Sequence, residues 1–481
     1  MGDNLKEKTI NALKWSTVDR FGQQAVQFIV GLALARLLKV EDFGLVGMLL
    51  IFNALSFVLV ESGFGQSLVR KKSNDDKEFS SIFYFNIFIG FFIYIILFFC
   101  APLIATFFKQ PELINISRIS FIVIPFNALY LMPFIKLGIK LDFKNIAKVN
   151  IISTFVSGAV GVILALKGFG VWALVWQLVL YHFIRFLVFY FVVRWKPIRF
   201  FSFEYIREHW KFSVNLLGTG VLNVVFNNIF TIVLGRFFPL KETGFYTQAN
   251  KLSETANYTF ISILTGSTYN IFSQIQDDLE RLRRILREFI HNVAIIVIPA
   301  GFFLIASAND LIITLIGEQW KGAISYFQLI CAANLIAPLY LLNINALNSK
   351  GLSGLTFKIE LAKKTLILVA IISLFHFGGK IMITGYVLAC WVAYFISMRA
   401  SKKSLNYFWR NQLKDIIPPF GIGISIGIVV FAISLLSIKP IYLLIIETFV
   451  AFFIYLVIIK FFYPNLFEKV LDQLKKHLPK K

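Results

Sequence analysis

Residues 34–45 read LARLLKVEDFGL, and residues 234–245 read LGRFFPLKETGF. Each copy ends an apolar run with an arginine (Arg36, Arg236), crosses a short charged link, and opens a second apolar run with a glycine (Gly44, Gly244). Upstream, LKWS at 13–16 opens one long apolar stretch much as WKFS at 210–213 opens another, at an offset near 197, so a three-residue gap separates the two alignments. A corner written twice in the same direction predicts a duplicated unit.

What kind of unit it is follows from composition. Of 481 residues, 58% are hydrophobic and 54 are phenylalanine, with a mean hydropathy of +0.74. No soluble domain of this size could cover so much apolar surface, so the chain reads as a polytopic membrane protein. The formal net charge of +22 would point to nucleic acid in a soluble protein. Here the basic residues lie between apolar stretches and read as a topology signal facing anionic lipid, so nucleic acid is not an expected partner. Cys100, Cys331 and Cys390 sit in or beside apolar spans with no C-x-x-C pair, which argues against a disulfide framework or a zinc site. The apolar run from Trp15 is too long for a signal-peptide core and reads as a retained first span.

A membrane helix needs about 20 mostly apolar residues. That length places fourteen spans near 15–38, 43–67, 80–107, 114–135, 147–166, 171–193, 212–238, 244–270, 289–308, 323–348, 359–376, 382–398, 416–437 and 440–462. The eighth carries the unusually polar SETANYTFISILTGSTYN at 253–270. Segments on the side of the termini hold 34 Lys and Arg against seven on the other, which puts both termini in the cytoplasm. The predicted fold is therefore an all-α polytopic membrane protein of about 14 transmembrane helices. It divides into a six-helix lobe over 1–194, a cytoplasmic linker over 195–211, a second six-helix lobe over 212–400, and two additional helices with an amphipathic tail over 401–481. QDDLERLRRILREF at 276–289 and LFEKVLDQLKKHL at 466–478 carry apolar residues at helical spacing and read as amphipathic helices on the inner leaflet.

Six spans per unit make the repeats parallel, and in such proteins the substrate path runs between the halves. Ionisable groups inside spans are the candidates to line it. Arg185 on the sixth span and Lys251 with Glu254 on the eighth lie deepest. Arg36, Arg236 and Arg20 lie nearer the surfaces, where an arginine either faces the path or snorkels to headgroups. Lys251 and Glu254, three residues apart on one helix face, are placed to pair. Asn215, Thr219, Asn223 and Asn227 recur every fourth residue as a polar stripe, either helix glue or donors and acceptors for sugar hydroxyls. Cations suit an anionic ligand, and arginine's planar fork suits phosphate. Glu61, Glu254 and Asp19 are candidates for coupling transport to a proton or sodium gradient, with Glu61 the first choice because no partner lies near it in sequence. No other cofactor is expected.

With those residues assembled, the chain resembles the polysaccharide-exporter family (flippases for O-antigen, capsule and exopolysaccharide) of the multidrug/oligosaccharidyl-lipid/polysaccharide flippase superfamily. The resemblance rests on LARLLKVEDFG (34–44), GFGVWALV (168–175), RFFSFEYIREHWKFSVNLLG (199–218), LGRFFPLKETGFY (234–246), IQDDLERLRRILRE (275–288) and LIGEQWKGAISYFQLI (315–330), in that order. It implies a V-shaped pair of six-helix lobes, alternating access, and transfer of an undecaprenyl-diphosphate-linked glycan between leaflets of the bacterial inner membrane. Membrane lipids and other polysaccharide-assembly membrane proteins are the implied partners. Related lipid II flippases use arginines on an early span of the first lobe, and Arg20 stands at a comparable place. A drug or organic-cation exporter of the same superfamily is the nearer alternative, but its cavity should be acidic and aromatic. A membrane-embedded glycan polymerase or ligase is the further one, and it needs a sizeable outer catalytic loop. The longest here, near 309–322, has about fourteen residues, and no D-x-D-like metal site occurs in the cytoplasmic loops, so no enzyme activity is expected.

Overall fold

The computed structural model describes residues 2–61, 63–71 and 75–464, with the side chains of 2–10, 211, 212, 215, 258–267 and 403 outside the description. The described residues form helices joined by short links. In the first half these are α1 (Gly2–Leu37), α2 (Val40–Glu61), α3 (Phe64–Arg70), α4 (Asp76–Phe108), α5 (Leu113–Ser120), α6 (Val123–Ile139), α7 (Phe143–Leu166), α8 (Val171–Val193) and α9 (Phe203–Phe237). There follow α10 (Leu240–Gln274), α11 (Leu279–Ala306), α12 (Ala308–Ile316), α13 (Ala323–Asn334), α14 (Ala337–Ser349), α15 (Ser353–Leu374), α16 (Gly379–Leu405), α17 (Trp409–Ser434) and α18 (Pro440–Phe462).

Every span read from hydropathy falls on one of these helices, or on two in tandem. Among the described residues eleven segments are long and apolar enough to cross a bilayer. Of the other three long helices, α1 and α10 are the most polar, and α15 carries Lys358, Glu360, Lys363 and Lys364 close together. In water the phenylalanines left bare on α4 (Phe88, Phe92, Phe99) and α18 (Phe449, Phe452, Phe453) would be an aggregation surface; in a bilayer they meet acyl chains. The span over 43–67 is broken at Gly63, whose φ of 70° ends α2 and starts α3. The segment near 309–322 is not an open loop, because α12 occupies its first half.

By contact the chain forms two compact units, Met1–Thr247 and Gln248–Lys481, the division falling inside α10. In the first, α1 packs on α7, α7 on α8, α2 on α9 and α6 on both α4 and α8. Phe64, Phe108, Phe121 and Met48 are buried at its centre. In the second, α11 packs on α17, α15 and α13 on α16, and α17 on α18. The stretch 276–289 is corrected here: it is no separate surface helix but runs into α11, with Leu282 and Leu286 fully buried against other helices of the second unit. The apolar stripe that could have met lipid meets protein instead. Its expected counterpart at 466–478 lies outside the described residues.

The repeated corner has a geometric explanation inside the first unit. The start of α2 and the start of α10 touch backbone to backbone. A methyl group added at Gly44 would stand 2.7 Å from the Leu240 carbonyl oxygen, and one added at Gly244 would overlap the Val40 carbonyl. Only glycine permits that approach from both sides. Lys241 Nζ reaches Glu41 Oε1 at 3.5 Å across the same contact, and Asp42 Oδ2 caps α2 by accepting from Lys39 N at 3.0 Å.

Candidate functional site

In the first unit the polar groups gather where α1, α6, α7 and α8 meet. Arg185 on α8 lies in an aromatic cage, its guanidinium carbon 4.6 Å from the Tyr130 ring centroid, 5.5 Å from Tyr181 and 5.7 Å from Phe134 and Phe189. Its Nη1 donates to Tyr130 Oη at 3.2 Å. Tyr130 Oη also accepts from Asn127 Nδ2 at 2.8 Å and meets Nδ1 of the buried His182 at 2.9 Å. Ring faces steady a cation without neutralising it. Among the described residues no carboxylate forms an ion pair with Arg185, and its buried Nε has no hydrogen-bond partner. The cage therefore leaves a full positive charge and a free donor.

Asp19 lies on α1 within electrostatic reach of Arg185. It accepts from Gln23 Nε2 at 2.7 Å and from Asn150 Nδ2 at 3.1 and 3.2 Å, which ties α1 to α7. The remaining oxygen of Asn150, Oδ1, is buried without a partner. Asp19, Asn150 and Arg185 thus bring together groups that sequence spacing kept far apart. The neighbouring Arg20 is exposed on α1, in no ion pair among the described residues.

The other predicted residues are placed as follows. Thr219, Asn223 and Asn227 are all exposed on α9, so the stripe is present as a surface, while the Asn215 side chain lies outside the described residues. Arg36 is exposed near the end of α1. Arg236 turns to α4, where its Nη1 donates to the Phe107 carbonyl and, at 3.5 Å, to that of Thr106, with the guanidinium 5.3 Å from the Phe107 ring. It satisfies the Phe107 carbonyl at that helix end. Glu61 closes α2, exposed and in no ion pair among the described residues.

In the second unit Lys251 and Glu254 are both exposed on α10. The expected pairing is corrected: among the described residues no ion pair joins them, and Glu254 Oε1 instead accepts from Asn250 Nδ2 at 2.8 Å. Spacing of three allows a contact on a helix face but does not compel it, and the shorter amide at the i−4 position reaches the carboxylate.

Three clusters escaped the sequence reading. Ser67 Oγ meets His209 Nδ1 at 2.6 Å, His209 Nε2 meets Glu78 Oε1 at 2.6 Å, and Lys71 Nζ bridges Glu78 at 2.9 Å and Glu208 at 3.1 Å. Glu78, Glu208 and His209 have the proximity of a metal site, but the Lys71 ammonium already serves the two carboxylates, so the arrangement is an internal ion-pair clasp. Asp310 on α12 and Glu447 on α18 form a fully buried carboxyl pair. Arg287 on α11 holds Asp415 on α17 through three N–O contacts of 2.7–3.0 Å. Only Glu447 had a sequence signal, as the one acid in an otherwise apolar span.

Long apolar helices that carry a caged cation and exposed amides define a polytopic membrane protein. The chain belongs to the polysaccharide biosynthesis protein family, whose model matches residues 33–325. It is 25% identical over 449 residues to the lipopolysaccharide biosynthesis protein WzxC of Escherichia coli (strain K12), covering 90% of this chain and 89% of that one. It is 28% identical over 320 residues to the succinoglycan biosynthesis transport protein ExoT of Rhizobium meliloti (strain 1021), covering 66% of this chain and 65%, just under two thirds, of that protein. Among solved structures, lipid II flippase MurJ in an inward closed conformation shares the fold at a TM-score of 0.74 and 15% identity, covering 94% of this chain and 99% of that one.

Proposed function

We propose that this protein flips an undecaprenyl-diphosphate-linked oligosaccharide from the cytoplasmic to the outer leaflet of the bacterial inner membrane by alternating access, with both termini in the cytoplasm and no enzymatic step. The observation that carries the reading is Arg185, a cation held by rings and a tyrosine hydroxyl, with a buried N–H unspent. A diphosphate supplies the oxygens such a fork binds. The amides and hydroxyl of α9 suit sugar hydroxyls, and the relatives named for lipopolysaccharide and succinoglycan biosynthesis support a glycan as the cargo. Arg20, Arg36, Arg236 and Lys251 are further cations for the ligand, Arg236 the least available because α4 engages it. A proton or sodium gradient drives the cycle through Asp19, Glu61 or Glu254; Asp19 gains support from the unpartnered Asn150 oxygen beside it.

The test is transfer of a lipid-linked glycan in proteoliposomes under imposed proton or sodium gradients. A buried charge-assisted hydrogen bond is worth about 1.5–3 kcal/mol, so Arg185→Ala is expected to lower transfer at least about tenfold at equal insertion. Arg185→Lys should not restore it, because a point charge cannot replace the fork. Unchanged transfer by both variants overturns the assignment, and a gradient response unaltered in Asp19→Asn, Glu61→Gln and Glu254→Gln removes the carboxylates from coupling.

A further inference from the structure

A cavity of about 690 Å³ opens in the second unit where the start of α11 meets the junction of α16 and α17. Four arginines line it, Arg281, Arg283, Arg284 and Arg287, together with Asn406 and Asn411. Arg287 is already spent: Asp415 takes both edges of its fork, and Tyr407 Oη steadies the same carboxylate at 2.7 Å. That ion pair fixes one wall of the cavity by fastening α11 to α17. The other three guanidinium groups form no ion pair among the described residues.

The two acids on the rim do not cancel them. Asp278 accepts from Arg281 N at 2.9 Å and so closes the N-terminus of α11, leaving its charge directed at backbone amides. Glu280 alone remains against three cations. Like charges packed within four residues repel unless an anion lies among them, and lysine is absent from the lining. Guanidinium forks favour tetrahedral oxyanions, to which they offer paired N–H groups. The volume exceeds what one phosphate needs, and the Asn406 and Asn411 amides can meet hydroxyl groups beside it.

We propose that this cavity binds a phosphate ester whose remainder carries hydroxyl groups, supplied either by an anionic phospholipid headgroup at the membrane surface or by a soluble sugar phosphate. Bound there, the ester bridges the first turns of α11 to the 406–411 segment and reinforces the Arg287–Asp415 fastening. The inference is independent of the transport reading, since none of its residues belongs to the Arg185 site.

Purified full-length protein in neutral detergent tests it in two arms: native mass spectrometry with phosphatidylglycerol against phosphatidylcholine of the same chains, and calorimetric titration with glucose 1-phosphate. Phosphatidylglycerol retained alone assigns the lipid source, glucose 1-phosphate alone the soluble one, and both together a site that reads phosphate itself. Arg283→Gln/Arg284→Gln is expected to weaken binding at least about tenfold, the worth of one charge-assisted bond. Lys380→Gln/Lys439→Gln, which removes the same charge at the far end of α16 and just past that of α17, should leave it within about twofold, because exposed distant charges are screened. Glu280→Gln should tighten binding, a gain that damaged folding cannot imitate. No binding in either arm, equal losses from the two double variants, or weaker binding by Glu280→Gln overturns the proposal.

Discussion

Among single residues Glu447 stands apart. It lies in the middle of α18, fully buried, and neither carboxylate oxygen has a hydrogen-bond partner; Oδ2 of the adjoining Asp310 is equally bare. No cation forms an ion pair with either among the described residues. A buried carboxyl pair with no cation beside it costs stability, and uncharged residues of the same shape often do better. Glu447→Gln, whose amide can donate to Asp310, is therefore expected to keep or raise the unfolding temperature in detergent; a fall of several degrees would show that the carboxyl pair holds α12 to α18. This residue was legible in the sequence, as the sole acid among IYLLIIETFVAFFIYLVIIKFF, but its partner Asp310 was not, being 137 positions earlier on another helix. Arg185 was legible for the same reason, being a lone cation in a span. Its cage was not, because Tyr130 and Phe134 stand on α6, more than fifty positions earlier, among many aromatics with no mark to distinguish them.

Between elements, the clasp of Ser67, Glu78 and His209 joins α3, α4 and α9. The segment expected as a linker over 195–211 is partly helical, α9 starting at Phe203, and its extended part is held by serines of α4: Ile198 N donates to Ser80 Oγ at 2.8 Å and Ser202 N to Ser81 Oγ at 3.1 Å. Removing His209 leaves Glu78 buried with Lys71 as its remaining partner. His209→Ala is expected to cost about 2–4 kcal/mol of stability. In a double-mutant cycle with Ser67→Ala the coupling should reach about 0.5 kcal/mol or more. Melts in detergent measure both, and additive losses would mean that the 2.6 Å contact contributes nothing. Helix positions followed from apolar length alone, whereas this pairing spans 142 positions of sequence and has no local signature. The tertiary packing that settles it also decided the fate of 276–289, where sequence periodicity could not choose between lipid and protein.

For the whole molecule, the distribution of charge is the sequence's most legible statement. With 34 Lys and Arg on one side against seven on the other, reporter fusions after Lys77, Lys211 and Lys403 and at the C-terminus should all report cytoplasm, and a periplasmic signal at the C-terminus would refute the orientation. The duplicated corner was equally plain as a pattern, but not its purpose: two similar strings can lie far apart, and these two meet only in the folded chain. Their contact is reciprocal. Val40 and Leu240 occupy equivalent places in the two copies, as do Gly44 and Gly244, and each aliphatic residue's carbonyl presses on the other copy's glycine. In a half-length ancestor pairing with itself, this would have been an isologous interface around a two-fold axis, one glycine serving both sides. Duplication and fusion would turn that single position into two, each constrained by a neighbour inherited from the other copy, so neither glycine is free to drift alone.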